Sequence, residues 1–410
     1  MLFSCMSLFA YFLPKSFLVI YAGIFSGALG FIHADSLLPF SFENLNFIAN
    51  LATIFPIIVR CGVRFLFSEK IVRIYIVFFM FGVLYPIFNS WSNLTASLTD
   101  GKGFLSILLI PYLLAHSSIT PRFIKLIVFS LSYYLGLICL VYLLFGVFPA
   151  GYEPVSLSSY EGIHIRYATV MLLAVLLAYN DLIEKYSSVR FGSFVILFLF
   201  LSVQPHNSIT LATIFVIGAH YFYNLKISRR IKFMDLAFTF LGFMTLLLIF
   251  YSASLQTGIR NIFNQVILLE GAFGSRLDIS AFRLTYFLDE PVLGYGFIDE
   301  KSALGAPIKD AASSRFSATL GVIDAGIVDI AMRFGSIGLS SFVIVIMIAL
   351  RRYDSDFRLF KFLLASYFFA ALTWSVFTYS FGIVIISITY AVCVKVQNSK
   401  FKENYVRYGQ

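Results

Sequence analysis

Residues 191–203 read FGSFVILFLFLSV and residues 236–250 read LAFTFLGFMTLLLIF, two stretches holding almost nothing that prefers water. Similar runs follow one another along the chain with only short breaks. Of the 410 residues 60% are hydrophobic and 12% charged, whereas soluble domains are about half apolar and about a quarter charged. A soluble core cannot absorb that much apolar surface. A bilayer can, because its hydrocarbon is about 30 Å thick and takes up about 20 such residues per helix. The expected fold class is therefore an all-α polytopic membrane protein.

Apolar runs bounded by charge, proline or glycine give about twelve candidate spans: 16–33, 44–60, 71–88, 103–117, 123–148, 166–180, 191–205, 208–225, 233–254, 323–350, 358–374 and 377–395. Cytoplasmic loops carry an excess of Lys and Arg. Placing the N-terminus in the cytoplasm puts 21 of the 30 basic residues on the inner side, so an even number of spans with both termini inside is expected. Residues 1–254 then carry spans one to nine, residues 255–322 a long outer loop with short helices, and residues 323–410 the last three spans and a cytoplasmic tail. The net charge of +9 is spread over many short loops, which excludes a nucleic-acid stripe. Cys5, Cys61, Cys139 and Cys393 lie in or beside apolar runs without CxxC spacing and read as inert helix residues. Ionisable residues are scarce inside the spans, which argues against a transport pathway and places any chemistry at the outer surface.

The outer loop is where that chemistry is expected, since loops this long are often functional. Residues 276–288 read as an amphipathic helix whose apolar face is Leu277, Ala281, Leu284 and Leu288. Arg276 and Arg283, two turns apart, share another face. The next stretch is Asp289-Glu290-Pro291-Val292-Leu293-Gly294-Tyr295-Gly296-Phe297, in which proline stops the helix and the glycines permit a tight turn.

Arg283, ten residues and Gly294, followed through the Pro-x-x-Gly-x-Gly of residues 291–296, resemble the long outer loop of the O-antigen polymerase and ligase superfamily. The resemblance covers residues 276–338 and otherwise rests on topology. Its members are glycosyltransferases of the bacterial inner membrane, acting at the periplasmic face on undecaprenyl-diphosphate-linked oligosaccharides. Asp324 stands eleven residues before Gly335, where ligase members carry a histidine; its absence favours a polymerase. The resemblance implies membrane lipids, a flippase and a chain-length regulator as partners.

Expected catalytic residues are Arg283 and Arg276, holding the diphosphate, and Asp324 or His164 as the base that deprotonates the acceptor sugar. Asp324 as a helix N-cap and His164 as an exposed imidazole are the plainer alternatives. Substrate contacts are expected from Arg166, Gly294, Tyr295, Gly296, Arg315 and Arg333, with Arg166 equally readable as an arginine reaching lipid headgroups. Guanidinium suits this task because it stays charged and meets phosphate oxygens through paired hydrogen bonds. No metal-ligand spacing occurs in the outer loops, and the expected transfer needs neither metal nor cofactor.

Overall fold

The computed structural model describes residues 2–26, 42–145, 157–203, 207–227, 272–298, 302–308, 326–351, 357–371 and 376–408. Every regular element among them is helical. Five helices are long and apolar enough to cross a membrane: Lys70–Phe88, Leu94–Ala115, Pro121–Ile138, Gly326–Ile344 and Ser380–Ser399. These overlap five of the expected spans. The expected span 233–254 and the tip of the long loop, including Arg315, lie outside the described residues, as does Asp324.

Elsewhere the helices differ from simple rods. The first begins at Leu2, ahead of the expected start, and passes Pro14 with little interruption. The Leu13 amide reaches the Phe9 carbonyl and the Phe17 amide reaches the Leu13 carbonyl, both at 2.9 Å. The expected span 44–60 is two helices, Phe42–Ala52 and Ile54–Cys61. The span expected at 103–117 starts earlier, at Leu94, and tightens to a 3-10 helix over Lys102–Leu108. Mid-helix 3-10 turns of this length are uncommon and mark a local packing demand. Here Gly103 sits against the backbone of Ser380, where a Cβ would lie 3.0 Å from the amide nitrogen.

At the centre lies the helix Leu157–Glu184, whose residues 168–179 are buried on all sides. A helix apolar all round needs neighbours all round. It has them in Pro121–Phe145, Ser188–Val203, Arg358–Ala370 and Ser380–Tyr408. Polar side chains cross-link the bundle: Tyr21 donates to Asn50 at 2.7 Å, Asn50 to Ser106 at 2.9 Å, and Ser387 to the Ser106 carbonyl at 3.2 Å. Hydrogen bonds of this kind contribute roughly 0.6 to 2 kcal/mol each between membrane helices. The C-terminal end of the central helix is tied by Lys125 to Asp181, by Arg190 to the Asp181 carbonyl at 2.8 Å, and by Arg358 to Asn180 at 2.9 Å.

Candidate functional site

The helix Ala272–Asp289 ends just before Pro291, and the chain turns at Gly294 and Gly296, both left-handed with φ +68° and +71°. Opposite this turn the helix Gly326–Arg351 is broken at Gly335, whose φ of 62° and ψ of −166° are open only to glycine. In an unbroken helix the amides of Ser336 and Ile337 would donate to the carbonyls of Met332 and Arg333. Instead Ser336 donates to Pro291 at 2.8 Å and Ile337 to Val292 at 3.3 Å, while the freed carbonyls accept from Tyr295 at 2.9 Å and Gly296 at 2.7 Å. The turn thus exchanges hydrogen bonds with the kink and leaves those four groups satisfied, as buried backbone requires.

A second break receives the same segment. Pro86, inside the helix Lys70–Phe88, has no amide to give the Gly82 carbonyl. The Phe297 amide takes that carbonyl at 2.7 Å. The Phe297 ring then fills a slot between Gly82 and Gly101, where an added Cβ would come within 2.6 and 2.5 Å of it. At Gly296 a Cβ would meet Pro86 Cδ at 2.6 Å, and at Gly294 the Met332 carbonyl at 2.5 Å. Beside the slot Tyr295, Ile298, Ile308 and Met332 form a small apolar core with Trp91, Phe282, Tyr286 and Leu304. Burial, with Asp289 and Glu290 adding to it, pushes the Tyr295 phenol up to about 12, so it is a neutral hydroxyl at any physiological pH. Trp91, readable from sequence as an interface anchor, packs on Tyr295 at 5.1 Å between ring centres. Asn93 of the Asn-x-Thr triplet caps the helix Leu94–Gly101 by accepting from the Ala96 amide at 2.9 Å.

These two anchorages bring four charged side chains together. Arg283 Nη1 donates to Asp329 Oδ1 at 3.3 Å, and Arg333 Nε donates to the same oxygen at 3.0 Å. Thr378 donates to the other Asp329 oxygen at 3.1 Å. Arg333 also pairs with Asp100 and lies 5.7 Å from the centre of the Phe297 ring. Charges therefore alternate along Arg283, Asp329, Arg333 and Asp100. The Arg283 and Asp329 side chains are only 4% and 6% exposed. Burial pulls the Arg283 guanidinium below its ordinary value, and the neighbouring Asp329 carboxylate pulls it back up.

The orientation of the Ala272–Asp289 helix is informative. Its expected apolar stripe faces outward, with Ala281 exposed, Leu284 43% exposed and Leu288 65% exposed, while Arg283 faces in. Arg283 thus takes the inward place against the helix's own apolar pattern and is held there by Asp329.

Of the expected site residues the structure brings together Arg283, Arg333, Gly294, Tyr295 and Gly296. Arg276 lies on the same helix two turns before Arg283, and His164 and Arg166 lie on the helix Leu157–Glu184, but the described side chains include none of the three. Asp329 and Asp100 were not among the expected residues. Asp329 carries a signal in its i,i+4 spacing from Arg333 within an otherwise apolar run; Asp100, distant in sequence, carries none. The expectation of scarce ionisable residues in the spans needs revision here. Asp100, Asp329 and Arg333 all lie in helices of membrane-crossing length and are largely buried.

No protein-family model matches the chain, and no curated protein does.

Proposed function

We propose that this chain is a membrane glycosyltransferase that polymerises a surface glycan, passing the growing chain from undecaprenyl diphosphate to the next lipid-linked repeat unit. The observation that carries the reading is the union of the two stretches on which the superfamily resemblance rests. The Arg283 to Gly296 segment and the segment around Arg333 and Gly335 exchange backbone hydrogen bonds and share an ion cluster. In this reading the chain has twelve spans, both termini lie in the cytoplasm, and the site faces the periplasm of the bacterial inner membrane.

The chemistry asks little covalent work of the protein. The acceptor hydroxyl attacks the anomeric carbon, the carbon–oxygen bond to the diphosphate breaks, and the diphosphate leaves with the electron pair. A base takes the hydroxyl proton, and the anomeric centre inverts. Arg283, aided by Arg333, stabilises the charge growing on the diphosphate in a water-poor site, where such electrostatic help is worth several kcal/mol. Asp324 and His164 are the candidate bases.

Reconstituted protein given purified lipid-linked repeat units tests the proposal: elongated chains are expected, and their absence under conditions where the protein is folded refutes it. In cells, replacing Arg283 by alanine should leave lipid A core capped with a single repeat unit. Uncapped core would point instead to the related ligase activity, and an unchanged ladder would exclude both.

One observation favours a second reading. Buried, paired charges within membrane-length helices are also what a transporter of lipid-linked oligosaccharide would use. Translocation without elongation in the same reconstitution would establish it.

A further inference from the structure

We infer that Asp329 is a positioning residue, the shared anion that fixes the guanidinium groups of Arg283 and Arg333 for a diphosphate group. The inference rests on the diphosphate reading given above.

Two guanidiniums brought to one place repel each other. Asp329 removes that repulsion by accepting from both through one oxygen, at 3.3 Å from Arg283 and 3.0 Å from Arg333. Its other oxygen is held by Thr378 at 3.1 Å, which fixes the plane of the carboxylate. The two arginines come from different elements, one from the loop helix and one from the kinked helix; the turn at Gly294 brings these elements together, and Asp329 bonds both side chains. With three donors converging on it, Asp329 suits holding better than proton abstraction. Asp100 restrains the far side of Arg333 in the same way, and Phe297, seated in its glycine slot, lies beneath that guanidinium. Binding groups must be held within about 0.5 Å of their productive place by such a supporting shell.

The test compares Asp329→Asn and Asp329→Glu with the wild type after their folded state has been verified by gel filtration and thermal unfolding. In the elongation assay the asparagine variant should lose on the order of 10²-fold in kcat with KM changed only a few-fold, and the glutamate variant should recover part of the loss. Wild-type kcat in Asp329→Asn, or a loss that merely follows the folded fraction, overturns the inference. If Asp329→Asn does not fold, Asp100→Asn decides: lowered kcat at near-constant KM supports positioning, and an unchanged kcat overturns it.

A second readout does not depend on enzyme activity. Phenylglyoxal modification followed by peptide mass spectrometry reports whether each guanidinium stays in place. Arg283 should react faster in Asp329→Asn, or Arg333 in Asp100→Asn if that variant must stand in, while Arg190 at the opposite end of the bundle reacts as before. Unchanged reactivity of the arginine read out overturns positioning even where elongation is seen. A wild type that never elongates, yet shows the change in reactivity, refutes the polymerase reading and leaves the positioning role standing.

Discussion

Arg283 and Asp329, 46 residues apart in sequence, meet at 3.3 Å where water is nearly absent. The pair joins the helix of the long loop to the kinked helix, and Arg333 makes it a triad by sharing the same carboxylate oxygen.

Geometry, and not charge alone, is what Arg283 supplies. Lysine keeps the charge but loses the planar fork that meets a carboxylate and a phosphate together. Arg283→Lys is therefore expected to lose elongation by about 10²-fold or more, close to Arg283→Ala, when glycan ladders are compared at equal membrane expression.

Gly335 and Gly62 both have left-handed φ, but their surroundings differ. A Cβ at Gly335 would collide with the Val292 carbonyl, whereas one at Gly62 meets nothing within 4 Å. Alanine at Gly62 should cost only backbone strain, roughly 1–3 kcal/mol. Alanine at Gly335 should cost more and also abolish elongation, because it expels the turn. Thermal unfolding together with the activity assay separates the two.

Replacing a proline inside a helix by alanine ordinarily relieves about 3 kcal/mol of disruption. At Pro86 the sign should reverse or the gain vanish. The Gly82 carbonyl already has a partner in the Phe297 amide, and a new amide at residue 86 would compete for it. A Pro86→Ala variant melting no higher than wild type is the expected result.

Phe297→Ala should cost about 3–5 kcal/mol, as loss of a buried aromatic does. Gly101→Ala alone should cost about 1–3 kcal/mol by overfilling the same slot. Because the two residues touch, combining Gly101→Ala with Phe297→Ala should cost less than the sum, and a double-mutant cycle of melting data reads the coupling.

Much of this fold is written plainly in the chain. Continuous apolar runs give helices wherever length alone decides, as at Lys70–Phe88 and Ser380–Tyr408. Proline and the paired glycines also mark the turn after Asp289 before any coordinates are seen. What the turn grips was not legible. Its partners are carbonyls and amides of Gly82, Met332, Arg333, Ser336 and Ile337, and backbone groups carry no signature in sequence. The inward face of the loop helix was equally hidden, since its apolar residues Ala281, Leu284 and Leu288 are the exposed ones and Arg283 takes the buried place. Asp329 was overshadowed by Asp324, which stands at the motif spacing.

The exchange of hydrogen bonds at Gly335 gives the Arg-x10-Gly spacing the character of a ruler. Both of its ends are pinned to one helix, Arg283 at Asp329 and the turn just past Gly294 at Met332, through the Tyr295 amide, so the intervening chain has no slack. One residue added before Pro291 would rotate the arginine by about 100° and shift it by about 1.5 Å relative to the turn. The interval between them is therefore intolerant of insertion or deletion, although the exposed side chains that fill it, such as Leu284, Leu288 and Val292, are free to vary.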